Sequence, residues 1–169
     1  KGVNTNTFFG ENVGRYTTGG FNAAIGLNAL RNNTTGTNNA AIGLNALHNN
    51  TTGTNNAAIG VSALHNNTTG TNNAAIGAYA LYVNTTGNSN MAIGVSALGN
   101  NTTGAANTAI GSGAGSLISN GSNNTKTNNS IFIGGGTRAL ADNQTNQIVI
   151  GDSAIGQGSN SVVLGNTSI

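Results

Sequence analysis

The side chains with the most chemical capacity in this 169-residue chain are two histidines and three acids. Glu11, Asp142 and Asp152 stand far apart, and none has an acidic partner at an equivalent repeat position, so paired-carboxylate catalysis has little support. His48 and His65 lie 17 residues apart, which is the period of the internal repeat described below. We therefore expect no enzyme activity, no catalytic residue and no cofactor.

Two imidazoles one repeat apart could share a metal ion, but Zn²⁺ requires a third protein ligand. The neighbouring repeat positions hold Arg31, Tyr82 and Gly99, so a solvated column is expected instead of a metal site. Rings and cations on a polar surface suit glycan contact, whereas free variation in an exposed turn would give the same pattern. The candidate surface-binding stripe consists of Arg31, His48, His65, Tyr79 and Tyr82.

Composition excludes several protein classes. Only 5% of the residues are charged and the net charge is +2, which is too little clustered charge for nucleic-acid binding. There is no cysteine, and no apolar run approaches the ~20 residues of a membrane helix, so no membrane insertion by this segment is expected. The chain starts at Lys1 without a secretion signal, which suggests a processed piece.

The chain is built from an internal repeat of mostly 17 residues, such as NAAIGLNALHNNTTGTN. Each copy has a glycine after a short apolar triplet, and the steps between these glycines are 16, then 17 five times, then 23, 17 and 14. The repeat length varies while the apolar triplet stays constant, which indicates a solenoid with insertions in its corners. The marker glycines are Gly10, Gly26, Gly43, Gly60, Gly77, Gly94, Gly111, Gly134, Gly151 and Gly165.

Each repeat predicts one coil of an all-β parallel solenoid. The triplet is a brief strand, residues 27–30 would form a second strand after a glycine bend, and Asn-Asn-Thr-Thr-Gly would close the coil. Asn-x-Thr sequences such as Asn33-Thr34-Thr35 are explained by this corner better than by glycosylation. The prediction is a single domain, residues 1–169, of about ten coils, with residues 112–130 as an inserted loop.

The triplet is apolar on both faces, so both faces should be buried. We expect the bulky column containing Ile25 and Ile42 to fill the coil, and the smaller column containing Ala24 to meet other copies of the chain. The candidate trimer-interface residues are Ala24, Ala41, Ala58, Ala75, Ala92, Ala109, Phe132, Val149 and Val163.

The run A-I-G-x-x-A-L followed by Asn, Thr and Gly resembles the head repeats of trimeric autotransporter adhesins. The N-N-T-T-G corner and the closing VVLGNTSI resemble bacteriophage tail-fibre proteins with the same repeats. The resemblance covers nearly the whole chain. It implies a left-handed parallel β-roll, three chains about a common axis, and an extracellular location on a bacterial surface or virion tail.

Two functions remain open. The first is a structural and adhesive fibre segment that presents a rigid rod to a cell-surface glycan or another host receptor. The second is an ice-binding solenoid, because Thr35 pairs with Thr37 and the pattern recurs at Thr52 with Thr54 and at Thr69 with Thr71. The threonine pairs then stop, at Asn88 and Ala105. Three rungs would make a small ice plane, so the fibre is preferred.

Overall fold

The computed structural model describes residues 5–166 and contains a ten-stranded parallel sheet whose strands follow chain order. Neighbouring strands pair in register, so that Ala41 lies between Ala24 and Ala58. The parallel β-solenoid predicted from the 17-residue period is confirmed. The strands are β1 (Thr7–Phe9), β2 (Ala23–Ile25), β3 (Ala40–Ile42), β4 (Ala57–Ile59), β5 (Ala74–Ile76), β6 (Met91–Ile93), β7 (Thr108–Ile110), β8 (Ile131–Ile133), β9 (Gln147–Ile150) and β10 (Ser161–Leu164).

The segment after each strand is a turn, and the prediction of a second strand at residues 27–30 is wrong. Asn28 and Leu30 both have positive φ, 56° and 53°, and the equivalent residues of the following coils repeat this. Left-handed residues at alternate positions curl the backbone instead of extending it. The curl leaves Ala29 and Leu30 fully buried inside the coil.

The two faces of the strands are the reverse of the expected ones. Ala58 is 0% exposed, whereas Ile59 beside it is 41% exposed, and the same contrast recurs from β2 to β5. The Ala24 column lies inside its own coil, where the leucines of the turn fill the remaining volume. Its members from Ala24 to Val149 therefore cannot form a trimer interface while the coil is intact, whereas Val163 in the last strand is only half-buried. The outward column is the one that contains Ile25.

Two phenylalanines in the inward column fill coils where the turn has no leucine. Phe132 is fully buried, and Gly115 stands in the preceding coil at the position of Leu98. A Cβ added to Gly115 would lie 2.7 Å from the Phe132 ring. At the other end, the ring of Phe8 lies in the space next to Gly14, but this residue of the first strand is 36% exposed. Phe132 therefore repacks the coil interior and does not mark an outward interface.

Two columns of asparagine side chains line the buried interior. In one, the Asn39 Nδ2 donates to Gly53 O at 2.9 Å, and its Oδ1 accepts from the backbone N of Asn56 at 3.0 Å. In the other, the Asn50 Nδ2 donates to Asn33 Oδ1 and to Gly53 O, at 2.6 and 2.9 Å. The amides satisfy the carbonyls that a tight corner turns inward, as buried polar groups require.

The longest coil, between β7 and β8, holds its extra residues in a small hairpin. Leu117 pairs antiparallel with Asn123, and Ile118 N donates to Ser122 O at 2.9 Å. Asn120 and Gly121 are exposed at the tip. The insertion thus projects from the coil without interrupting the pairing of β7 with β8.

Candidate functional site

The stripe predicted from the sequence is a column of stacked side chains on one side of the rod. The backbone N of Asn32 donates to His48 O at 2.9 Å, and that of Asn49 donates to His65 O at 2.9 Å, which places successive members one coil apart. By the same pattern, Tyr16 N donates to Arg31 O at 3.2 Å, so Arg15 precedes Arg31. We call the column Arg15, Arg31, His48, His65 and Tyr82 the cationic–aromatic ladder.

Arg15 was missed by sequence reasoning because the first coil step is 16 residues instead of 17. Counting each residue from its own marker glycine, and not by a fixed period, would have found it. Arg15 is exposed, and its guanidinium lies 5.6 Å from the ring centroid of Tyr16. The ladder therefore begins with two arginines in consecutive coils.

The aromatic members of the ladder cover one another. The His48 and His65 rings are parallel within 3°, with centroids 5.0 Å apart, and the Tyr82 ring lies 5.3 Å beyond His65. Tyr79 packs edge-on against Tyr82 at 5.6 Å. Both faces of the His65 ring are therefore occupied by neighbours. The glycan stacking suggested by the sequence is not available on this ring, which presents its edge to solvent.

An outer row of asparagines fixes the tautomer of both histidines. The Asn32 Nδ2 donates to Asn49 Oδ1 at 2.9 Å, so this oxygen is an acceptor, and His48 Nδ1 lies 2.8 Å from it. The next coil repeats the arrangement, with His65 Nδ1 at 2.9 Å from Asn66 Oδ1. Each Nδ1 must therefore carry the hydrogen, and each neutral ring keeps Nε2 as a bare acceptor.

Burial lowers the pKa of His48 below its ordinary 6.5, and the neighbouring His65 and Arg31 lower it further. The hydrogen bond to Asn49 acts in the opposite direction without reversing the shift. His48 is consequently neutral at pH 7. The permanent charge of the ladder is concentrated at the arginine end.

The histidine pair does not have the geometry of a metal site. Parallel rings send their Nε2 lone pairs in parallel directions, so one ion cannot lie in both ring planes. Across residues 5–166 no group of three or more metal-ligating side chains comes together.

Within residues 5–166 the three acids make hydrogen bonds to their local surroundings and not to one another. Asp142 accepts from the backbone N of Thr125 and of Lys126, both at 2.8 Å, and from the Thr125 hydroxyl at 2.5 Å. Asp152 accepts from the Ser153 hydroxyl at 3.3 Å. Glu11 accepts from the Asn12 amide at 3.4 Å. Throughout the described chain no hydrogen bond joins two of these acids.

An open groove of about 580 Å³ borders the ladder. One wall is the outer asparagine row, and the other is a row of threonines whose hydroxyls donate to the carbonyl of the next coil, as Thr51 does to Thr68 O at 2.8 Å. The groove offers amide groups along one wall and threonine side chains along the other. Its lining residues are Asn32, Asn49, Asn66, Thr51, Thr68, Val83, Thr85 and Thr102.

The exposed threonine pairs and the Asn-x-Thr sequences have distinct surroundings. Thr52 is exposed and Thr54 is half-buried at the surface, with the buried Gly53 between them. Asn33 and Asn50, in contrast, are fully buried and hydrogen-bonded in the interior. Their side chains are inaccessible to a glycosyl transferase in the folded chain, in agreement with the turn interpretation.

The outward strand face is a continuous apolar surface. It includes the Ile25 column, flanked in the next residues of the coil by Leu27, Leu44, Val61 and Val95, all more than one-third exposed. At the last coil Val162 and Leu164 continue it. No helix within residues 5–166 is long and apolar enough to cross a membrane.

Comparison with known proteins identifies no relative of this chain. The chain matches no protein-family model, no curated protein and no solved structure. The functional argument therefore depends on the repeat and on the surfaces described above.

Proposed function

We propose that this chain is a structural and adhesive segment of a homotrimeric, surface-displayed fibre that carries no catalytic activity. The observation that carries the proposal is the outward apolar face. Its Ile59 side chain is 41% exposed, and equivalent residues occupy successive coils along the rod. A face of this length on an isolated soluble chain favours association.

The partner that best fits this face is a second and third copy of the same chain. Equivalent residues repeat at the strand spacing of ~4.8 Å, so a parallel copy can meet the column with the same periodicity along its whole length. A closed symmetric assembly then covers every copy of the face. The three-fold symmetry comes from the resemblance to adhesin heads and phage tail fibres, whose repeats share the A-I-G core.

The same resemblance supports an extracellular location, on a bacterial surface or a virion tail. In this assignment the rod holds its cationic–aromatic ladder and its inserted hairpin at fixed positions for contact with a host receptor. Both structures project from coils that are packed in register, so the binding residues are positioned by the scaffold and not by flexible loops.

Sedimentation equilibrium and light scattering test the trimer. We expect three times the 16.6 kDa chain mass for the unmodified protein. A double Ile59→Lys, Ile76→Lys variant should lower this mass and retain its β circular dichroism, because both side chains point outward. Thr52→Lys, Thr69→Lys introduces the same charge on the exposed threonine column and should remain trimeric.

Two results would overturn the trimer assignment. One is a soluble, folded monomer for the unmodified chain. The other is an unchanged trimer for the isoleucine double variant, since the apolar face would then lie outside the interface.

Ice binding is the competing function, and the surface position of Thr52 and Thr54 is the observation in its favour. The matching columns have Asn88 and Ala105 in later coils, which limits the array to three threonine pairs. A thermal hysteresis assay separates the two functions. Activity at micromolar protein would favour the ice-binding solenoid over the fibre.

A further inference from the structure

We propose that the cationic–aromatic ladder binds an acidic polysaccharide laid along the rod, with its carboxylate or sulfate groups at the arginine end. This inference rests on the proposed adhesive function and specifies its partner. It adds an anionic ligand class to a stripe that the sequence suggested only for general glycan contact.

Charge distribution is the first argument. Arg15 and Arg31 are two of the five Lys and Arg residues of the chain, and they occupy adjacent coils. Across residues 5–166 neither has an ion-pair partner. The nearest acid in the hydrogen-bond network is Glu11, which Arg15 reaches only through the Asn12 amide. Two uncompensated guanidinium groups in a row suit a ligand with repeated negative charge.

The second argument is an unpaired hydrogen-bond donor on Arg31. Its Nε is shielded from solvent and has no hydrogen-bond acceptor in the protein. Buried donors are normally paired, because an unpaired one retains its desolvation cost. Turning the guanidinium onto a bound carboxylate or sulfate would give this donor an acceptor and allow a bidentate contact.

The rings of the ladder distinguish a polysaccharide from a nucleic acid. Single-stranded nucleic acids bind to exposed aromatic faces on which bases stack. Here both faces of the central ring, His65, are covered by His48 and Tyr82, so this ring has no free face on which a base could stack. The Nε2 edges and the adjoining groove of asparagine amides and threonine methyl groups match sugar hydroxyls and C–H surfaces.

His48 makes this binding pH-sensitive. His48 faces Arg31 and His65, and its ring is hydrogen-bonded to Asn49. His65 faces His48 and Tyr82, and no carboxylate contacts either ring among the described residues. A bound polyanion would favour protonation of the His48 ring, and protonation would convert its Nε2 from an acceptor into a donor. Binding should therefore tighten as the pH falls.

Isothermal titration calorimetry on the full chain tests the proposal. The probes are polygalacturonate for carboxylates, dextran sulfate for sulfates, neutral dextran and an oligothymidylate. Titrations are made at neutral pH and at about one pH unit below the ordinary histidine pKa of 6.5. We expect binding to at least one acidic polysaccharide, tighter at the lower pH, and none to neutral dextran.

Charge-matched variants locate the site. Arg15→Gln, Arg31→Gln should weaken binding by about tenfold or more, because each arginine supplies charge-assisted hydrogen bonds. Lys126→Gln, Arg138→Gln removes the same net charge elsewhere and should retain the affinity. A His48→Gln variant should keep binding at neutral pH and lose the tightening at low pH.

Three outcomes would overturn the inference: no binding of either acidic polysaccharide, equal losses in the two charge-matched double variants, or tighter binding of the oligothymidylate. Sedimentation separates these results from failure of the fibre assignment. A trimer that binds no polyanion overturns the ligand alone, whereas a folded monomer that binds one overturns the trimer alone.

Discussion

Gly115 and Phe132 share one site in the core, because a Cβ on the glycine would lie 2.7 Å from the phenylalanine ring. Phe132→Ala should destabilise the fold by about 3–5 kcal/mol through the cavity that it leaves. The double variant Gly115→Leu, Phe132→Ala recreates the alanine–leucine pairing of the central coils and should recover part of that loss. Urea unfolding of the three proteins measures the effect. Equal stability of the single and double variants would contradict the shared site.

The interior amides should be strongly sensitive to substitution. Asn50→Ala removes the donor that bonds to Asn33 Oδ1 and Gly53 O. Gly53 O keeps the hydrogen bond from Asn39, but the buried Asn33 Oδ1 is left unpaired. We expect a loss of about 1–3 kcal/mol in chemical denaturation. Thr52→Ala, on an exposed side chain in the same corner, is the control and should change stability by no more than about 0.5 kcal/mol. A similar loss of stability for both variants would show that the buried asparagine column does not stabilise the corner.

The marker glycines are required for close approach between coils. Gly60 has φ of +133°, and a Cβ there would meet the backbone carbonyl of Gly77 at 2.7 Å. Gly113 also has positive φ, +64°, but a Cβ there would meet no atom within 4 Å. Gly113→Ala should cost about 1–2 kcal/mol from backbone strain alone. Gly60→Ala should cost clearly more, and thermal melts that rank them in the other order would refute the stacking argument.

Asp142 should make the free energy of unfolding decrease at acid pH. Burial raises the pKa of this carboxyl, but the hydrogen bonds from Thr125, Lys126 and Asn143 outweigh burial and bring the pKa below its ordinary 3.8. The unfolded chain then binds the proton more tightly than the folded chain. The stabilisation is complete above pH 3.8 and is lost as the pH falls through the lowered value.

Urea unfolding as a function of pH measures this contribution. Asp142→Asn should flatten the acid limb of the stability curve, whereas Asp152→Asn should retain it. An acid limb that survives unchanged in Asp142→Asn would assign the loss to another group.

Metal removal should leave the fold intact. No cluster of metal ligands occurs among residues 5–166, and the buried positions are held by asparagine amides and aliphatic side chains. Differential scanning calorimetry with and without EDTA should give the same melting temperature. A decrease of several degrees would reveal a metal requirement.

The repeat period and the parallel stacking could be predicted because glycine and asparagine recur with the coil. The direction of the strand faces could not, since Ala24 and Ile25 are both apolar and a three-residue strand gives too little alternation to choose. The deciding residue is Leu30, which lies in the turn. Its positive φ of 53° is uncommon for leucine and brings its bulk inside, where only alanine fits opposite.

The positions of the stripe residues could be predicted from the sequence, but the orientation of their rings could not. The 17-residue period places Arg31, His48, His65 and Tyr82 in one column, but it does not determine how their rings are turned. The face-to-face contact of His48 with His65 depends on the outer asparagine row, which fixes one nitrogen of each ring. That row looks in the sequence like ordinary turn residues.

Strand contacts occur only between neighbours in chain order throughout residues 5–166. The two central units from Asn39 to Asn72 are nearly identical, so an in-frame duplication or deletion of one 17-residue unit would create no junction that the rod does not already contain. Unequal recombination between such units could therefore change the reach of the rod in steps of ~4.8 Å without new core packing. Length would then be an evolvable trait, separate from the residues that contact a partner.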